Sequence, residues 1–169
     1  SNTSGPGMLG ALYNSIYQFV QTEDYLVILV EMINDERIIP LYESAEEARA
    51  NTRPIEHQPW FGDSRGWYED GWLVVETVNI NPKQMAESSV AITQAGKITE
   101  RFTRHSDTEV IYQFTVEDDN LYRQPWTAEL SFHATEGPIY EYACHEGNYA
   151  MAGILAGARR QEAEAADAE

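Results

Sequence analysis

"SRGWYEDGWLVVETVNI", residues 64–80, decides the class of fold. Two β-branched and aromatic runs flank Asp70-Gly71, a step that supplies the positive φ angles of a tight two-residue turn. The stretch is therefore a β-hairpin. In its second arm a period of two puts Trp72, Val74, Glu76, Val78 and Ile80 on one face. Leu73, Val75, Thr77 and Asn79 take the other. The first face is the more apolar, so it is expected to be the inner one. That places the carboxylate of Glu76 in the middle of an apolar interior.

The same rhythm extends in both directions. "SIYQFVQT" (15–22) and "YLVILVEMI" (25–33) are joined by Glu23-Asp24 as a second hairpin, and "ERIIPLY" (36–42) follows the Asn34-Asp35 turn. "KITERFTRH" (97–105), "EVIYQFTVED" (109–118) and "PWTAELSFH" (125–133) are three further strands, and "PIYEYA" (138–143) is a candidate last one. "LYESAEEARANTRP" fits either one helical turn or a loop. After Ala143 the period changes. Met151, Ile154, Leu155 and Ala158 follow helical spacing, with Asn148 placed to cap the helix. Gly153 and Gly157 suit close approach of that helix to the sheet. Beyond Arg160 the acids oppose the helix dipole, and fraying is expected. Residues 1–160 read as one domain, and 161–169 as an acidic tail.

The fold expected is all-β and mainly antiparallel: a lipocalin-like curled sheet or barrel of about eight to nine strands with one C-terminal helix. A two-layer sandwich or a half-open sheet crossed by the helix is the second reading.

Composition narrows the function. The chain carries 28 acidic and 11 basic residues, a net charge of −17. Such a chain repels phosphate backbones, which excludes a nucleic-acid partner. No run of about 18 apolar residues occurs, so no helical membrane insertion is expected. The first residues lack the basic start and apolar stretch of a signal peptide. The chain begins without methionine and reads as a processed or trimmed piece.

Alternation also sorts the charges. In 109–118, Tyr112 and Phe114 share the inner face with Val110 and Val116. In 125–133, Trp126 lies inward and His133 outward. Glu100 lies with Ile98 and Phe102, Arg37 with Ile39 and Leu41, and Glu31 with Val27 and Leu29. Inward carboxylates beside an arginine in an apolar cavity are what general acid–base chemistry needs. Glu76 or Glu31 is then the candidate base, Arg37 the anion stabiliser and Tyr112 the proton donor. Asp63 of "WFGDSRGW", Trp72, Tyr13, Asn14, Phe114 and Trp126 are candidate ligand contacts. Cys144-His145-Glu146 is no metal site, because three successive side chains diverge on either a strand or a helix. His145 alone stays a candidate acid or base. No metal or nucleotide cofactor is expected.

Several strings resemble a family of exported bacterial proteins without an established activity. They include "GPGML", "YNSIYQFVQT", "EMINDERIIPL", "WFGDSRGWYEDGWLVVET", "RQPWTAEL" and "GPIYEYACHEGNYAMAGILAGAR", and together they span nearly the whole chain. The chain departs from the family at "YEDGW", where the family has Trp-Glu-Gly-Asp-Thr, and at "VNI", where it has an Asn-Phe ending. The resemblance implies a periplasmic or secreted β-rich module. Family members often carry a cysteine before the segment matching "GPGML", a candidate partner for Cys144 in a longer chain.

Three functions follow as expectations. The first is a lyase, isomerase or hydratase acting on a small apolar or aromatic molecule inside the sheet. The second is a lipocalin-like binding module without chemistry. The third is a structural or homodimerising domain.

Overall fold

A computed structural model describes residues 5–10, 13–85, 90–142 and 149–166 of the chain. Eight strands form one sheet in chain order: β1 (Tyr17–Gln21), β2 (Tyr25–Val30), β3 (Glu36–Tyr42), β4 (Asp63–Glu69), β5 (Trp72–Val78), β6 (Lys97–Arg104), β7 (Glu109–Glu117) and β8 (Trp126–His133). Every neighbouring pair is antiparallel except β3–β4, which is parallel. The β4–β5 hairpin turns as expected: Asp70 and Gly71 adopt φ of 49° and 81°.

The sheet curls into a half-barrel. Rings of the first strand touch rings of β6 and β8: Tyr17–Phe132 at 5.2 Å, Phe19–Phe132 at 5.8 Å and Phe19–Phe102 at 5.7 Å between centroids. Among the described residues no ladder joins β1 to β8, so aromatic edge-to-face contacts close the seam instead. Inward-facing Leu26, Ile28, Ile39, Val75, Ile98, Tyr112 and Phe114 make the core.

The hollow of the half-barrel is filled by the chain itself. Gly5 to Met8 are buried, and Met8 belongs to the same core cluster. Gly7 adopts φ +76°, and an added Cβ would stand 3.3 Å from Val90 and 3.5 Å from Phe114. Glycine is needed there on both counts.

One short helix covers the outer face. Helix α1 (Ala45–Ala50) starts at Ser44, whose Oγ accepts from the Glu47 N–H at 3.2 Å. Its Ala48 packs on Trp67 of β4 and Val74 of β5. This corrects the face assignment of β5. Leu73 and Val75 point inward, while Trp72, Val74 and Glu76 point outward beneath or beside α1. Both faces of β5 are buried, so alternation alone does not say which is inner. At Asn79 the backbone turns to φ 52°, which breaks the alternation and returns Ile80 to the inner core.

A second helical turn, α2, spans Pro82–Met85. The loop after it is clamped by Asp118, whose carboxylate accepts from the N–H groups of Thr93 and Asn120. Burial pushes this carboxyl up, but those N–H donors outweigh it and hold it below its ordinary 3.8. A carboxyl with a lowered folded pKa contributes stability above its unfolded value, and that part is lost as pH falls below about 3.8. Asp118→Ala should cost about 1–3 kcal/mol at neutral pH, since the Thr93 N–H loses its acceptor. The mutant penalty should shrink at acid pH, as urea titrations at pH 7 and pH 3 would show.

Two further expectations fail. Residues 138–142 form no strand, and their donors go to side chains: Tyr140 N–H to Glu31 Oε1 and Tyr142 N–H to Asn34 Oδ1, both at 3.3 Å. The terminal helix α3 (Ala150–Ala166) does not dock on the sheet. None of its described residues is buried, and nothing lies within 4 Å of a Cβ built on Gly153 or Gly157. It runs past Arg160 to Ala166, with Arg160 bonded to Glu164 at 2.9 Å. No helix among the described residues is long and apolar enough to cross a membrane.

Candidate functional site

A polar network centred on Glu100 lies in the interior. Arg37 Nη1 donates to Glu100 Oε1 at 3.1 Å, and Nη2 to Oε2 at 2.6 Å. Tyr112 donates its hydroxyl to Oε1 at 2.7 Å. The ion pair is sealed from water, with side chains 1% and 0% exposed. The N-terminal segment completes it: Gly7 N–H donates to Glu100 Oε1, and Met8 N–H to the Tyr112 oxygen at 2.9 Å. Arg37 also reaches Ser64 Oγ at 3.3 Å, and Ser64 bonds Thr77 Oγ1 at 2.8 Å.

This arrangement suits locking better than proton transfer. Burial first, and then the Glu100 carboxylate, push the Tyr112 hydroxyl well above its ordinary 10. Burial tends to lower the Arg37 value, but Glu100 outweighs it and the guanidinium stays charged. Every oxygen of Glu100 has a donor, and a substrate would have to displace Gly7 and Met8 to reach it. Phe114 and Trp126 face the same interior and pack on each other with ring centroids 5.6 Å apart, as core residues rather than ligand contacts.

The other expected site residues lie elsewhere. Glu76 is outside the half-barrel, bonded by Arg49 Nη2 at 3.2 Å. Trp72 is on that outer face too, with Arg101 stacked 5.2 Å from its ring centre. Glu31 is buried but not inside the barrel wall. The chain leaves β2 after Val30, and Glu31 opens a 3-10 turn over Met32–Asn34. Arg37 is opposite Ile28, so Glu31 and Arg37 are not cross-strand partners. Tyr13 is 63% exposed, and Asn14, at φ 51°, belongs to the same entry segment. His145, Cys144 and Asn148 lie outside the described residues.

The structure shows a different opening, where the sheet changes direction. The parallel β3–β4 ladder bridges only Leu41 with Gly66 and Tyr42 with Trp67. No bridge ties Glu36–Pro40 to Asp63–Arg65, and a cleft forms along this unzipped stretch. Its larger part holds about 370 Å³, with Trp60, Phe61 and Ile38 as apolar walls. Arg37 and Ser64 line its inner end, and Asp35 and Glu36 its rim. Trp60 and Ile38 are 51% and 62% exposed. A second part, about 110 Å³, adjoins it and shares Ile38, Pro59, Gly62 and Ser64.

Asp63 stands at that second part. It pairs with Arg65 at 2.8 Å and accepts the Arg53 N–H at 2.8 Å. Asp63 is thus the one expected ligand contact, apart from Arg37, that borders the cleft. No protein-family model, curated protein or solved structure matches the chain. The functional reading therefore rests on this geometry. Among the described residues no group of three or more His, Cys, Asp or Glu side chains gathers as metal ligands.

Sequence reasoning missed the cleft because it comes from long-range pairing. Trp60, Phe61 and Arg65 sit in "WFGDSRGW", and Arg53 lies seven residues before it. Gly62, at φ +75°, is the signal there: a Cβ would meet Thr77 at 2.7 Å.

Proposed function

We propose that this chain is a non-catalytic binding module for a small aromatic molecule, and that the β3–β4 cleft is its site. The observation that carries the reading is the unzipped parallel pair. Where the ladder stops, a recess with apolar walls opens, and Trp60, 51% exposed, offers ring surface that a ligand would bury. The walls of Trp60, Phe61 and Ile38 suit a flat apolar ring. The volume fits one ring system with a short substituent.

Proton-transfer catalysis is the weaker reading. Glu100 is sealed, and Glu76, the base expected from sequence, is held by Arg49 outside the barrel. A fragment screen by ligand-observed NMR, using phenols, benzamides, benzoates and indoles, tests the binding reading. Hits are expected to lose their signal with Trp60→Ala while the circular dichroism stays unchanged. Hits that survive Trp60→Ala, or a screen without hits, would count against the cleft as the site.

A further inference from the structure

We propose that the molecule bound in this cleft is an aromatic carboxylate, with its ring on Trp60 and its carboxylate at the Arg53–Arg65 end. The inference rests on the binding reading above and adds the chemical class of the ligand.

The charges of the smaller part differ from those of the chain. Asn51, Arg53, Asp63 and Arg65 line it. Two guanidinium groups meet a single carboxylate there, in a protein of net charge −17. Extending the count along the outer face adds Arg49 with Glu76, and the excess stays positive. A recess with one guanidinium in excess, on a strongly acidic chain, is a place where an anion is attracted rather than repelled.

Arg65 supplies the second observation. Its side chain is 2% exposed, and Nη1 and Nη2 are spent on Asp63, at 2.8 Å to the carboxylate and 3.3 Å to the carbonyl. Its Nε is buried and has no hydrogen-bond partner among the described residues. A buried N–H without an acceptor is costly, and an incoming oxygen would satisfy it. Arg53 is fixed for the same task. Its N–H is held by Asp63, and its carbonyl accepts from Asn79 Nδ2 at 2.9 Å. The backbone is thereby pinned, while the side chain is 59% exposed and only loosely paired, with Nε 3.9 Å from Asp63 Oδ1, which leaves its Nη groups able to turn to an anion.

Size and charge then set the orientation. About 110 Å³ takes a carboxylate but not a ring, and the adjoining 370 Å³ takes the ring. Asp35 and Glu36 stand at the far rim and repel an acid group placed the wrong way round. Burial first, and then the Glu36 charge, already hold the Asp35 carboxyl above its ordinary value. Planar guanidinium forks match a carboxylate in two-point geometry.

Matched acid and amide pairs test this. Benzoate, phenylacetate, 3-phenylpropionate and indole-3-acetate would each be titrated against their amides, with Trp fluorescence and NMR as readouts. The best acid is expected to bind at least about tenfold more tightly than its amide. In Arg53→Gln that ratio should fall towards one, with the amide's affinity unchanged. Arg53 is exposed at the side chain, its hydrogen bond to Asp63 is made by the backbone N–H, and its side-chain pairing with Asp63 is long, at 3.9 Å, so the variant should fold. If acid and amide bind equally, both lost in Trp60→Ala, the cleft stands and the carboxylate assignment falls. That assignment falls equally if Arg53→Gln leaves the ratio unchanged. If no ring compound responds to Trp60→Ala, the cleft reading falls and takes this inference with it.

Discussion

Glu100→Gln is expected to lower the unfolding free energy by about 3–5 kcal/mol, the usual cost of orphaning one member of a buried ion pair. The neutral amide keeps an oxygen for Tyr112 and Gly7. It cannot balance Arg37, whose side chain is 1% exposed and whose charge is retained in the folded state. The double variant Arg37→Met with Glu100→Gln should recover most of the loss, because no charge is then left in the interior. Urea unfolding, with the slope compared across variants, separates this from a change in the denatured state. A single variant within about 1 kcal/mol of wild type, at the level of an exposed pair, would mean that the pair is hydrated and carries no such weight. The network has an alkaline signature as well. The folded Tyr112 value lies well above 10, so the stability it brings is complete below 10 and declines as pH climbs past it. Tyr112→Phe should flatten that decline.

The fold was legible wherever local chemistry and exposure agree. Asp70-Gly71 marks its hairpin because both residues need positive φ. β7 and β8 read correctly because one face is core and the other is in water, so Tyr112 and Phe114 fall inward and His133 outward. β5 misled because α1 covers its outer face, and six residues of helix left no decisive mark in the sequence. The result put Glu76 inside when it is outside. Glu31 misled because β2 is apolar on both faces: Leu26, Ile28 and Val30 point inward, so Val27 and Leu29, the residues Glu31 was grouped with, take the outer face. Arg37 and Glu100 were both read as inward, yet nothing local says that residues 63 positions apart form the pair. The stripe of Met151, Ile154 and Leu155 predicts a helix and nothing about what it touches. Met151 and Ile154 are 64% and 65% exposed. The cleft rests on strand order: a parallel neighbour inserted among antiparallel ones has no periodic signal, and only the glycine-rich "WFGDSRGW" hints at it.

Met8→Ala should cost about 2–5 kcal/mol, the range for a fully buried methionine truncated in a core. The size of this effect is the test of whether the N-terminal segment belongs to the fold. Met8 is 1% exposed and sits among Phe114, Ile98 and Val90 in the core cluster. Residues 5–9 lack any periodic pattern that would mark them as core. If they were loosely held, truncating Met8 would change little, since exposed or frayed positions contribute within about 0.5 kcal/mol. Met8→Leu keeps the volume and should cost less than about 1.5 kcal/mol, which separates packing from a sequence-specific role for the thioether. A large loss in Met8→Ala with a small one in Met8→Leu means that the hollow is solid core. The ligand of this module is then excluded from the space that Met8 fills, which favours the cleft on the wall. A small loss in both would make the interior a binding site again, with Tyr112 and Glu100 as its polar end. The two N–H bonds from Gly7 and Met8 argue for the first outcome. Removing the segment would leave the Tyr112 oxygen and one Glu100 oxygen short of donors in a space closed to water.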